Sequence, residues 1–137
     1  MNGIARMACG LAATLAFGSI PPVLAQEGMG KEPGARLLAR CEPAQRLADQ
    51  GGPDGLSSGE RADAHACIGF IEGFVWGHAW ASWRQGKDMW FCLPAGFSAA
   101  QGVPVVVGYL RTHPDRLDED AHLLVFLALT AAYPCEP

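Results

Sequence analysis

Five cysteines, four histidines and a glutamate lying between two of the histidines are the side chains with which this sequence could do chemistry. Cys9 belongs to an apolar leader. The other four, Cys41, Cys67, Cys92 and Cys135, are spaced 26, 25 and 43 apart. A structural zinc site draws ligands from closely spaced Cys or His pairs, and no Cys-x-x-Cys pair exists here. An even number of cysteines in a small exported chain reads as two disulfides. Once oxidised, they offer no thiolate nucleophile. His65 and Glu72 are seven apart, on one helical face about two turns apart, whereas His78 points about 140° away from His65. That is not the His-x-x-x-His of a helical metal site. His78 falls on a core face and is expected there as a satisfied buried histidine. His113 precedes Pro114 in a turn and is expected to be exposed. Ser57 and Ser58 stand in no nucleophile elbow, and no Gly-rich phosphate loop is present. We therefore expect no catalytic residue, no metal and no cofactor.

The element that must organise these residues is a helical stretch from Asp63 to Trp83. At 100° per residue, Cys67, Phe70, Ile71, Phe74, His78 and Ala81 fall on one face. Trp76, Trp80 and Trp83 fall roughly opposite. A helix apolar on both sides is buried, or shared between a core and a partner. Gly69, Gly73 and Gly77 recur every four residues. Each costs about 1 kcal/mol against alanine in a helix interior, so the spacing suggests close approach of another backbone. The tryptophans are expected to pack beneath the first helix or the 50–59 linker. The alternative is a binding face, since Trp is favoured at interaction hot spots. In that case Trp80, Trp83 and Trp90 are the contact candidates, and Asp115, from an acidic run with Asp118, Glu119 and Asp120, is a further candidate for a basic partner.

Around that helix, Ala35–Cys41 reads as a short helix that Pro43 would end, with a further turn available over Ala44–Asp49. Gln50–Gly59 holds four glycines, a proline and two serines and is a loop. Ser57 or Ser58 can cap the central helix, with Glu60 near its positive end. Gln85-Gly86-Lys87 turns the chain. Met89–Pro94 is a short apolar run, expected to be extended and half buried. Ser98 followed by Gln101 is a capping box opening a helix over about 99–112. Pro104 either bends that helix or delays its regular start. Asp118 begins the last helix, which runs through the apolar Ala121–Ala132 and ends at Pro134. No strand and no internal repeat is evident. The fold class is all-α, a small disulfide-stapled bundle of about four helices. The short link between the last two helices makes them antiparallel neighbours. Cys92 before the first and Cys135 after the second then share one end. This pairs Cys92 with Cys135 and leaves Cys41 with Cys67, each link being worth about 3–4 kcal/mol by loop entropy.

Residues 1–25 read as a secretory signal: Arg6, then the apolar Met7–Ile20, then Val23-Leu24-Ala25 as a small-residue cleavage site. The run is short for a bilayer span, and no lipoprotein-type box precedes Cys9, so no stable membrane insertion is expected after cleavage. Residues 26–34 form a loose tail and 35–137 the folded domain. The formal charge of −4 becomes −5 once Arg6 is removed, which argues against nucleic acid as a partner.

Several pieces occur together in order: Cys67-x-Gly-Phe-x-x-Gly-Phe-x-x-Gly-His78, Phe91-Cys92-x-Pro94, Tyr109-Leu110-x-x-x-Pro114, Ala128-Leu129 and Tyr133-Pro134-Cys135. In this arrangement, over about residues 35 to 137, the chain resembles the Rap/Tai family of type VI secretion immunity proteins. The resemblance implies a small, all-helical periplasmic protein that binds and blocks a peptidoglycan-cleaving amidase effector, some members acting as homodimers. It implies a binding protein rather than an enzyme. The idiosyncratic 42–60 segment gives no basis for borrowing a contact surface. A different reading is a periplasmic acid-stress chaperone, although 18% charged residues is few for a conditionally unfolding protein. A structural domain of an envelope assembly is a third.

Overall fold

The computed structural model describes residues 31–135; the expected leader and cleavage site lie outside them. Helix α1 (Gly34–Gln50) is entered from Pro33, which has no side chain to cap it. Its free amides are used instead by the connection between the last two helices. Gly34 N–H donates to Glu119 O (2.9 Å) and Ala35 N–H to Leu117 O (2.8 Å), while Ala121 N–H donates to Glu32 O (2.8 Å). Residues 32 and 33, expected in a loose tail, are therefore held in place. Gly34 sits in close contact: a Cβ there would overlap the end of the Leu124 side chain and lie 3.3 Å from Leu117 O.

α1 corrects the expectation that Pro43 ends it. The helix runs on for seven residues to Gln50. Proline removes one backbone donor, but Leu37, Cys41, Pro43 and Ala44 are all buried, so packing on both sides of the proline holds the helical path. The Cys41–Cys67 disulfide ties this face to the next helix. After a glycine-rich loop, the capping box of α2 (Ser58–Gln85) forms at its N-terminus. Ser57 Oγ accepts from the Glu60 N–H (3.2 Å) and the Glu60 carboxylate accepts from the Ser57 N–H (2.8 Å). Gly86, at φ 61°, ends the helix in the left-handed region. α2 starts five residues earlier than the hydrophobic periodicity suggests, because the cap, not the first apolar residue, sets the start.

An irregular segment, 87–98, follows. Phe91 is fully buried, and Cys92 is fixed by its N–H bond to Tyr133 O (2.8 Å) and by a disulfide to Cys135. α3 (Ala99–Thr112) begins at the Ser98–Gln101 capping box and contains Pro104 as a regular helical residue. A 3-10 turn (Pro114–Arg116) leads to α4 (Ala121–Ala132), capped by Asp120, whose carboxylate accepts from the His122 N–H. Asp118 and Glu119 thus precede the last helix rather than open it. Glu119 instead pairs with Arg116 at 2.7 Å.

The four helices close one core, in which Leu37, Ile71, Phe91, Val106, Leu110, Leu124 and Leu129 are essentially inaccessible. Burying each such side chain contributes about 1.5–3 kcal/mol. The class is all-α, with no strand beyond an isolated Pro33–Asp120 bridge among the described residues. No helix among them is long and apolar enough to cross a membrane.

Candidate interaction surface

α2, with 28 residues, is about 42 Å long, against about 18 Å for α4, so it outruns the bundle. Its fully buried residues are Ala64, Cys67 and Ile71 in the first half and only Ser82 beyond them. The outer half carries Trp76, Trp80 and Trp83 at 69%, 65% and 69% exposure, and Trp90 beyond the turn is 69% exposed. The expectation that the tryptophans pack beneath α1 or the linker is thus corrected. α1, through the Cys41–Cys67 disulfide, and α3, beside Ile71, cover the opposite face. Trp80 and Trp83 stack on each other (centroids 4.9 Å apart, 18° between planes), and Trp90 meets Phe126 edge-on (6.3 Å). The glycine expectation fails in the same place. A Cβ at Gly69, Gly73 or Gly77 would meet nothing within 4 Å, so no other element among the described residues packs closely on the ladder.

Beside Trp76 lies an open groove of about 1120 Å³. Ile68 and Val75 of α2 form one side, and Met89, Leu93 and Phe97 of the irregular segment line it too. The Cys92–Cys135 disulfide belongs to the lining, as do the exposed carboxylates of Glu72 and Asp88. No lysine, arginine or histidine lines the groove among the described residues.

His78 is half buried on the other flank of α2. Its ring stacks on Phe91 (4.9 Å) and its Nε2 accepts from the Trp90 N–H (3.4 Å). Burial lowers its pKa, which favours the neutral ring. His113 is half buried rather than exposed, because it stacks on Tyr109 (4.1 Å) and its Nδ1 lies 2.8 Å from the Tyr109 carbonyl. His65 is exposed, and His122 contacts Asp120 at 3.2 Å. Among the described residues, no three of the His, Cys, Asp and Glu side chains converge as metal ligands would.

Trp80 and Trp83 stack together on α2, while Trp90 lies on the other flank, bonded to His78 and against Phe126. Asp115 does not join them. It sits in the 3-10 turn, a helix length of about 20 Å along the α3–α4 hairpin from the end where Cys92 meets Cys135. Sequence reasoning did not single out Asp88, Met89, Leu93 or Phe97, which lie in or beside a segment with no periodicity to read. Glu72 was considered as a possible catalytic group rather than as part of a groove.

No curated protein and no solved structure matches the chain. The family model of the Rap1a immunity proteins matches residues 33–135, from the proline that enters α1 to the second cysteine of the Cys92–Cys135 disulfide. With the whole described bundle inside that match, the chain belongs to the Rap1a immunity proteins.

Proposed function

We propose that the protein is exported to the periplasm and there neutralises a peptidoglycan-cleaving amidase delivered by type VI secretion. It does so by binding the effector, without chemistry of its own. The carrying observation is the family membership taken with the exposed aromatic end of α2. Trp76, Trp80 and Trp83, each more than three-fifths exposed along one stripe of α2, are suited to burial against another protein. The two disulfides accord with an oxidising compartment. An interface of ordinary size covers about 1,200–2,000 Å², enough to occlude an active-site cleft. The test is co-expression with the effector encoded beside this gene. Co-purification of the pair and survival of cells that export the effector are expected. The reading falls if the two proteins elute apart and the cells lyse equally with and without this protein. Trp80→Ala with Trp83→Ala in the same assay is expected to weaken binding at least tenfold.

A further inference from the structure

The groove beside Trp76 has a chemistry of its own. From it we propose that it receives a segment of a partner polypeptide in which a lysine or arginine lies between apolar side chains. This deepens the immunity reading and rests on it only in taking the occupant to be a protein. The apolar part follows from the walls, Ile68 and Val75 facing Leu93 and Phe97. The cationic part follows from an imbalance in charge. Glu72 and Asp88, the two acids of the groove, have no cation among the described residues, and no basic side chain lines the groove with them. Two like charges beside an apolar surface are met best by a cation that brings its own apolar neighbours. Trp76, on the same lining, adds a ring face to which an ammonium or guanidinium is attracted.

The experiment pans a phage-displayed library of random linear peptides against the purified, oxidised full chain. The recovered peptides are expected to carry Lys or Arg between Leu, Ile, Phe or Trp residues. Their binding should fall about tenfold in the Glu72→Gln/Asp88→Asn double variant, fall with added salt, and be lost when Ala79→Trp fills the groove. It should stay unchanged in Asp54→Asn, an exposed acid outside the groove lining. Recovery of no peptide, of acidic peptides, or of peptides indifferent to Glu72→Gln/Asp88→Asn overturns the proposal. So does saturable binding of dodecyltrimethylammonium where peptides fail, which would make the occupant a small amphiphile. A second copy of this chain as occupant would show as a dimer that dissociates in Glu72→Gln/Asp88→Asn, and that too overturns it. Effector protection and peptide selection are separate readouts, so either reading can fail while the other stands.

Discussion

Removing each disulfide in turn sets two physical effects against each other. The Cys41–Cys67 link closes a separation of 26 residues and the Cys92–Cys135 link one of 43. Loop entropy alone gives about 3.5 kcal/mol for the first and about 4.0 kcal/mol for the second. On that basis the Cys92–Cys135 link matters slightly more. Packing reverses the order. Cys41 and Cys67 are both fully buried in the core, whereas Cys92 is exposed and Cys135 half buried. Replacing the inner pair with alanine removes two close-packed sulfurs, each about the size of a methylene and worth about 0.8 kcal/mol. The Cys41→Ala/Cys67→Ala variant should therefore lose about 5 kcal/mol, against about 4 kcal/mol for Cys92→Ala/Cys135→Ala. Both are large parts of the 5–15 kcal/mol typical of a domain. Urea unfolding followed by far-UV circular dichroism reads the order. A difference of about 1 kcal/mol separates the two midpoints by roughly 0.5–1 M. If the Cys92→Ala/Cys135→Ala protein is the less stable of the two, core packing around Cys41 and Cys67 is not what the burial implies and the reasoning fails.

Two glycines should respond in opposite directions. Gly34→Ala forces a methyl against Leu124 and the Leu117 carbonyl and should cost about 1–3 kcal/mol. Gly73→Ala meets nothing within 4 Å and should stabilise by about 0.5–1 kcal/mol, both read as shifts in urea midpoint. Acidity gives a further test through His78. Burial lowers its pKa below the ordinary 6.5, so the unfolded chain takes up its proton first. Stability should then fall as pH drops from about 6.5 towards the native value, and His78→Gln should flatten that part of a midpoint-against-pH curve. The acids act lower down. Hydrogen bonds from Ser57 hold Glu60, and hydrogen bonds from Arg116 hold Glu119, below the usual carboxylate range of about 4.5. Their contribution is present above that range and fades only as pH falls through the lowered values, so a loss of stability below about pH 4.5 should persist in His78→Gln.

The elements with local chemical signals could be read directly. Ser98 and Gln101 mark the start of α3, Ser57 and Glu60 that of α2, and Gly86 the end of α2. Signals that depend on the rest of the fold misled. Pro43 says stop in isolation, yet the buried Cys41 and Ala44 on either side outweigh one lost backbone bond. The Gly69–Gly73–Gly77 ladder has the spacing of a close helix crossing, and its neighbourhood is open. Spacing reports which residues share a face but not whether another element reaches that face. The tryptophans show the same gap. Their common stripe is legible, but its exposure depends on the Phe74–His78 flank being the one that packs on Phe91 and Phe126, which only the assembled fold decides. The groove was illegible because half of it is built from residues 88–98, whose path is set by Phe91 burial and the tie to Tyr133.

The bond between Cys92 and Cys135 also has a bearing on how this protein must be handled. It fastens the one irregular wall of the groove covalently to the end of α4, and without it the strip from Asp88 to Phe97 is held by non-covalent contacts alone, the burial of Phe91, the bond to Tyr133 O and the Trp90 and Phe97 ring contacts. Protein made in a reducing cytoplasm would lack both links, and with them most of its stability on the figures above, so the groove would not be presented as built. A failure to capture any partner with such material would report on the preparation rather than on the molecule.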